Sequence, residues 1–373
     1  MLWILISFFL LFLIIDQIWT RQRRLPPRLY RASPTLGWTL TPGAARRIEL
    51  AHEGQKVWEN HIVINSYGFN DRDWPHDKGA QKRVMVMGDS IIESRQVDRS
   101  SNFVSLAEAK LNALSPNGYE VLNVGVAGWS ADSALNYFQQ AGRPLRPDIV
   151  IFGLFMGNDL VEGDYETFRY LFAYAWDCRR YDKPAFGLEN GSLVRRNYPA
   201  WRNVMARIFS EELYVHSCSF RKLYQHFNRF MEKRKNGSNL LRKKGVSYNM
   251  YMERTKGYKF FYDQTEAQID ALAKESRQAG AAFGVVLIPN FPLFYPLTID
   301  DPKSRAYWEY QIDLKHYHEM NRRLSSKYAI LSLIEPLHAA SEPISFKPAE
   351  HHFNFAGHEL VAKLLADFII EFN

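Results

Sequence analysis

Five short apolar runs, spaced between helix-patterned stretches, constrain this chain more than any other feature. They are RVMVMG (83–88), YEVLNVGV (119–126), PDIVIFGLFM (147–156), AAFGVVLIP (281–289) and AILSLI (329–334). Neighbouring positions in these runs are nearly all apolar, as expected of strands covered on both faces. Between and after them lie NFVSLAEAKLNAL (102–114), SADSALNYFQQAG (130–142), TEAQIDALAKESRQAG (265–280), YWEYQIDLKHYHEMNRRLSSKY (307–328) and GHELVAKLLADFIIEF (357–372). Their apolar residues recur at three- and four-residue spacing, the period of an amphipathic helix. Strands alternating with helices predict an α/β fold: a parallel sheet of five strands with helices on both faces.

The rest of the chain reads as additions to that unit. Residues 1–15, MLWILISFFLLFLII, are apolar except for Ser7. No small-residue cleavage pattern follows, so residues 1–20 are expected to be a retained transmembrane signal anchor. Residues 21–37 read as a Pro-containing linker. Residues 38–79 read as a small β-rich lobe, because RRIELAHEG and KVWENHIVINSYGF have strand character around a Gly turn. Residues 80–373 hold the main domain. Its alternation is interrupted at about 160–262 by what reads as a largely helical insertion. Between Arg221 and Lys244 this insertion carries nine Lys or Arg and one acidic residue, Glu232. Such a run is either a solvated face or a docking surface for an anionic polymer or lipid headgroups. The formal net charge of +7 agrees with anionic partners. No zinc-finger spacing or RNA-binding signature accompanies it, so no nucleic-acid partner is expected. Cys178 and Cys218 are too few for a disulfide framework or a four-cysteine metal site, and either one bridge or two thiols fits them.

Three turn clusters follow the first three runs. Gly-Asp-Ser ends the first and places Ser90 just beyond a strand, where ligands of open parallel sheets bind. Serine is a weak nucleophile, so it needs a base, an orienting acid and oxyanion donors. NVGVAGWS (123–130) follows the second run, and Gly128 there can offer a bare backbone N–H. GLFMGND (153–159) follows the third, and the Asn158 amide is a second donor. Each has a bland alternative: a strand-to-helix turn for Gly128, an Asx turn for Asn158. EHHFNFAGH (350–358) precedes the last helix. Glu350 and His352 are two apart, so in extended chain both side chains face one way. His351, His352 and His358 also fit plain loop or cap positions. A metal reading through them, or through His316 and His318, lacks a zinc-protease spacing. No cofactor is expected.

Taken in order, GDS, NVGVAG, GND and HFN resemble the SGNH (GDSL-type) hydrolase superfamily over roughly residues 60–373. NSYGFNDRDW resembles the lead-in of membrane-anchored bacterial members. VVLIPNFPLFY and the closing acid–x–His pair are similar to the alginate-type O-acetyltransferase branch. The resemblance implies a flavodoxin-like sheet order. It implies Ser90 as nucleophile, with its own N–H, Gly128 N–H and the Asn158 amide around the oxyanion. It implies His352 as base and Glu350 as its acid, although the family usually has aspartate there. The activity implied is ester hydrolysis on O-acyl, above all O-acetyl, groups of a glycan or related envelope substrate. An O-acyltransferase of envelope polysaccharide assembly would use the same residues, and an inactive binding or scaffold module is the third reading. The arginines after the anchor favour a cytoplasmic domain. The envelope-associated relatives favour an extracytoplasmic, periplasmic one, and that location is expected.

Overall fold

The computed structural model describes residues 28–172, 183–196, 252–296 and 301–372, apart from positions 76, 117, 254, 348, 349 and 351. It also describes 7, 11–12, 14–20 and a few isolated positions between 204 and 226. The anchor expected over residues 1–20 lies in large part outside these residues. Among the described residues no helix is long and apolar enough to cross a membrane. Most of the basic run from Arg221 to Lys244, with both cysteines, also lies outside them.

The amino-terminal lobe is two hairpins. The first pairs β1 (Tyr30–Ser33) with β2 (Gly37–Leu40). The second pairs β3 (Ala45–His52) with β4 (Gln55–Val63). The lobe thus begins inside the stretch expected to be a linker over 21–37. Leu29 and Ala32 are buried, and that burial orders YRAS as a strand where the prolines before it suggested only a spacer.

The central sheet comprises β5 (Lys82–Gly88), β6 (Tyr119–Gly125), β7 (Ile149–Phe155), β10 (Ala282–Ile288) and β11 (Ala329–Ser332). All four pairings are parallel, in the order β11-β10-β7-β5-β6. Counted along the chain from the β6 edge this is 2-1-3-4-5, the flavodoxin-like order. Alternate residues feed two cores. Met85, Met87, Val150, Phe152, Val285 and Leu287 face one side. Val84, Val86, Ile149, Ile151, Val286 and Ile288 face the other. At about 1.5–3 kcal/mol for each fully buried large aliphatic side chain, this two-sided burial dominates the stability of the sheet.

Among the described residues the helices include α1 (Ser90–Glu93), α2 (Phe103–Leu114), α3 (Ala131–Tyr137), α4 (Asp159–Glu162), α5 (Tyr165–Phe172), α6 (Tyr258–Gln278), α7 (Arg305–Ser325), α8 (Ile334–His338) and α9 (Phe355–Ile370). α3, α6 and α7 cover one face of the sheet; α2, α8 and α9 cover the other. The lobe adds Ala32, Trp38, Phe69 and Trp74 to the first of these cores.

Within the insertion, much of which lies outside the described residues, one segment is not helical. Ala185–Glu189 and Ser192–Arg196 form an antiparallel hairpin, β8 and β9. Its two-residue turn is Asn190-Gly191, with φ +50° and +79°. Both positive values mark a type I′ turn, for which Asn-Gly is the favoured pair. α6 also starts at Tyr258, about two turns before the helix read from residue 265.

Candidate active site

The order 2-1-3-4-5 puts the reversal of strand order between β5 and β7, so the carboxyl ends of these strands open the crevice where such sheets bind ligands. Ser90 follows the end of β5 by two residues and begins α1. Asp89 caps that helix, accepting the Ile91 N–H at 2.9 Å. The turn fits only because β6 ends in glycine. A Cβ at Gly125 would stand 2.2 Å from the Glu93 nitrogen. α1 therefore lies directly on the β6 terminus and fixes the height of Ser90 above the sheet.

Far along the chain, Asn354 caps α9, accepting the Gly357 N–H at 3.0 Å and donating to the Pro343 and Ser345 carbonyls at 2.7 and 3.2 Å. A β-bridge between Ser345 and Phe353 and a bond from Phe346 N–H to the His352 carbonyl close the loop before it. The asparagine of HFN is thus the clasp that holds its histidine in place. His352 Nε2 lies 2.9 Å from Ser90 Oγ, and His352 Nδ1 lies 3.0 Å from Glu350 Oε1. The structure brings Ser90, His352 and Glu350 into one hydrogen-bonded chain. Glu350 folds back far enough to reach the imidazole despite its extra methylene. Burial pushes the Glu350 carboxyl up, but the His352 hydrogen bond and charge, the Trp58 indole and the Arg95 charge outweigh that, so it sits below its ordinary value. It is an anion over the neutral range, as needed to orient an imidazole and stabilise an imidazolium.

The two expected donors flank Ser90 on the neighbouring strands. Gly128 follows β6 by three residues, with φ +79°. Trp129 N–H returns to the Val126 carbonyl at 2.9 Å, making a type II turn with glycine at its third position. The Ala127 carbonyl of this turn accepts the Trp38 indole N–H at 2.9 Å. In a trans peptide the N–H points opposite the carbonyl, so the Gly128 N–H is turned away from Trp38. Asn158 follows β7 by three residues. It precedes α4, but its side chain makes no capping bond, and its Oδ1 is buried without a partner. The Asx-turn alternative therefore does not account for this asparagine. The Ser90 N–H is more committed. Burial pushes the Asp89 carboxyl up to about 7, and the N–H groups of Ile91 and Ser90 pull against that rise.

The other histidines lie elsewhere. His358 stacks on Phe103, 5.7 Å between ring centres, and its Nδ1 accepts the Phe103 N–H at 3.2 Å. Burial pulls its pKa down to about 3. His316 packs against Tyr258 and Tyr262, and burial lowers its pKa to about 4. His351 lies outside the described residues. Among the described residues no three His, Cys, Asp or Glu side chains are grouped to hold a metal ion.

Similar folds occur among solved structures. TesA matches with 12% identity and a TM-score of 0.40 over 78% of this chain and 99% of its own. The acetylxylan esterase Axe2 from Geobacillus stearothermophilus matches with 12% identity and a TM-score of 0.40 over 78% and 95%. The acetyl xylan esterase AlAXEase matches with 12% identity and a TM-score of 0.41 over 76% and 98%. No protein-family model matches the chain, and no curated protein does.

Several residues around the site were not apparent from sequence. Glu93, fully buried on α1, accepts the Tyr30 hydroxyl and the Ala127 N–H, both at 2.6 Å. With Trp38 it grips both ends of the Ala127 unit that leads into Gly128. Asn70 donates to the Glu93 carbonyl at 2.9 Å. Asp71 accepts from Asn123 N–H and the Trp74 indole. The segment NSYGFNDRDW therefore props α1 and the end of β6 from behind. Only its density of turn-forming and aromatic residues signalled this role.

Proposed function

We propose that this chain is a serine-dependent ester hydrolase, with Ser90 as nucleophile, His352 as general base and Glu350 as its orienting acid. The continuous chain Ser90 Oγ–His352–Glu350, in which a 2.9 Å contact joins residues 262 positions apart and a 3.0 Å contact adds the acid, carries this reading. His352 Nε2 takes the Ser90 hydroxyl proton as Oγ bonds to the ester carbonyl carbon. The carbonyl electron pair moves to oxygen, and the Gly128 N–H and Asn158 amide receive the resulting oxyanion, with the Ser90 N–H as third donor. The oxyanion collapses, the alkoxide leaves with the proton from His352, and an acyl-serine remains. Water, deprotonated by the same imidazole, releases the acid and restores Ser90. Each good oxyanion donor is worth about 3 kcal/mol of barrier.

The motif resemblance and the positive net charge support O-acyl groups, chiefly acetyl, of a glycan or related envelope polymer as substrate. The apolar run over 1–15 supports a membrane-anchored enzyme with its catalytic domain outside the cytoplasm. The test of the catalytic reading is covalent labelling of the full chain in detergent by a fluorophosphonate, together with hydrolysis of a short-chain aryl ester. Both are expected of the native chain and lost in Ser90→Ala. Labelling of Ser90→Ala at the native rate would overturn the reading.

A further inference from the structure

We propose that Trp58, on the amino-terminal lobe, is a positioning residue for the acid of the triad: its indole N–H holds the second oxygen of Glu350. This rests on the catalytic reading above and extends it to a part of the chain outside the central sheet.

Glu350 has two oxygens, and each has a different task. Oε1 meets His352 Nδ1, while Oε2 accepts a hydrogen bond from Trp58 Nε1. The donor arrives from 292 positions away, on strand β4. The strand is anchored for the purpose. Two residues on, and so on the same face, Asn60 donates to the carbonyls of Arg95 and Val97 at 2.9 and 2.7 Å. Those carbonyls belong to the turn that leaves α1. Two residues further, Ile62 is buried in the lobe's own core. One face of β4 thus grips the turn behind the nucleophile and touches the acid beside the base.

Packing alone does not explain Trp58. It is half-buried, and it belongs to none of the three apolar clusters among the described residues. The chemistry of the site gives the N–H a purpose. A glutamate has one more rotatable bond than an aspartate, so more side-chain freedom is lost in holding it against the imidazole. A donor on the far oxygen removes that freedom before substrate binds. It also favours the ionised carboxylate, because an N–H stabilises the anion and not the acid. Arg95 adds its charge. Preorganising the acid should act on the step in which the imidazolium forms. It should therefore appear in kcat, with little change in KM for a small ester.

The decisive experiment is a double-mutant cycle on the full chain in detergent, read as kcat and KM for a short-chain aryl ester. Trp58→Phe keeps an aromatic ring and loses the N–H. It is expected to lower kcat about tenfold, the value of one charge-assisted hydrogen bond, with KM changed less than twofold. In the Glu350→Gln background the same change is expected to cost less than twofold, because the anion it serves is gone. Trp58→His, which restores a ring N–H, should recover part of the loss. An equal loss in both backgrounds would make Trp58 merely structural and overturn the proposal. So would full activity of Trp58→Phe. If Trp58→Phe fails to fold by circular dichroism, Trp58→His against Trp58→Leu gives the same comparison, and equal kcat in those two also overturns it. These outcomes are separate from failure of the catalytic reading, which shows instead as Ser90→Ala retaining activity.

Discussion

Replacing Asn158 by alanine should separate a catalytic asparagine from a structural one. Asn158 stands just before α4 yet makes no capping bond, and its Oδ1 is buried with no partner. Alanine at an ordinary cap costs about 1 kcal/mol, but here no cap bond exists to lose. A buried polar atom without a partner costs about 1–3 kcal/mol, so its removal relieves the fold. The midpoint of thermal unfolding is therefore expected to hold or rise by about 1–3 °C, scaling from the usual response of large domains. Catalysis should respond in the opposite direction. Removing one oxyanion donor costs about 100- to 1,000-fold in kcat, or about 3–4 kcal/mol of barrier. The assay is steady-state hydrolysis of an aryl acetate beside differential scanning fluorimetry of the same preparations. Fluorophosphonate labelling would confirm that Ser90 is still reactive. A variant within threefold of native kcat would refute the assignment of Asn158 to the oxyanion. So would a loss of rate that tracks a fall of several degrees in the unfolding midpoint.

Gly128→Ala forces a side chain into φ +79°, a cost of about 1–2 kcal/mol, and a turn that flips to escape it withdraws the N–H from the oxyanion; kcat should fall at least tenfold with Ser90 still present, and a native kcat would exclude this turn as a donor. Burial holds the carboxyls of Asp71, Asp89 and Asp313 up at about 6, 7 and 7; with unfolded values near 4 the folded chain binds more protons between about pH 4 and 7, so their contribution to stability is present at low pH and lost as pH rises through 7. His316 and His358, held down at about 4 and 3, oppose this up to the unfolded histidine value near 6.5, so the unfolding midpoint should decline from about pH 6.5 to pH 8, and Asp89→Asn should flatten the decline; a midpoint that rises over this range would refute it. Glu350 has the opposite sign, being held below its ordinary value, so its contribution is present above the unfolded carboxyl value and lost on acidification; Glu350→Gln should lower kcat and remove that loss from the acid side of the stability profile. Alkaline phosphatase fused to the carboxyl terminus should be active if residues 1–20 anchor the domain outside the cytoplasm, and a stable but inactive fusion would place it inside.

Much of the fold was legible because burial on both faces writes itself into the strands. RVMVMG, IVIFGLF and AFGVVLI have no polar side to lose, and all three became inner strands of a parallel sheet. Gly-Asp-Ser and the downstream Glu-His-His were legible as a pair only through their order, since nothing local links positions 90 and 352. The β8–β9 hairpin was missed although Asn190-Gly191 is a strong type I′ signal. The surrounding stretch over about 160–262 reads as largely helical, and that reading outweighs a single local turn signal. Trp58 and Glu93 were illegible for a different reason. Each lies in a segment whose own pattern is complete without it, Trp58 on a half-exposed strand and Glu93 at the end of a four-residue helix. Their meaning comes from partners at 292 and 34 positions' distance.

The acids beneath Ser90 pose an electrostatic problem that their burial resolves. Asp89, Glu93, Asp159 and Glu162 are all buried, and all lie on the turns that carry Ser90 and Asn158 or on the short helices that follow. A full negative charge about 6 Å from a forming oxyanion costs about 3 kcal/mol at an effective dielectric near 20, as much as one donor supplies. Several ionised acids would cancel the proposed oxyanion donors. Burial raises the Asp89 carboxyl to about 7, raises Glu93, and raises Asp159 well above its usual range, with the charges of Glu162 and Glu93 adding to the rise of Asp89 and those of Asp89 and Glu162 to that of Asp159. Like charges in close quarters cannot all ionise, so this group retains protons under conditions where exposed carboxyls have lost theirs. Glu93 is the instructive member. It accepts from Tyr30 and Ala127, and the Arg95 charge opposes its rise, so a negative charge is least costly there. Glu93 grips the N–H of the residue before Gly128, while Asp89 and Asp159 lie on the turns that carry Ser90 and Asn158. Glu350, held below its ordinary value, is thus set apart from these acids, whose carboxyls burial raises. At Glu350 the donors and charges outweigh burial, whereas at Asp89 and Asp159 burial outweighs the N–H donors of Ile91 and Phe155.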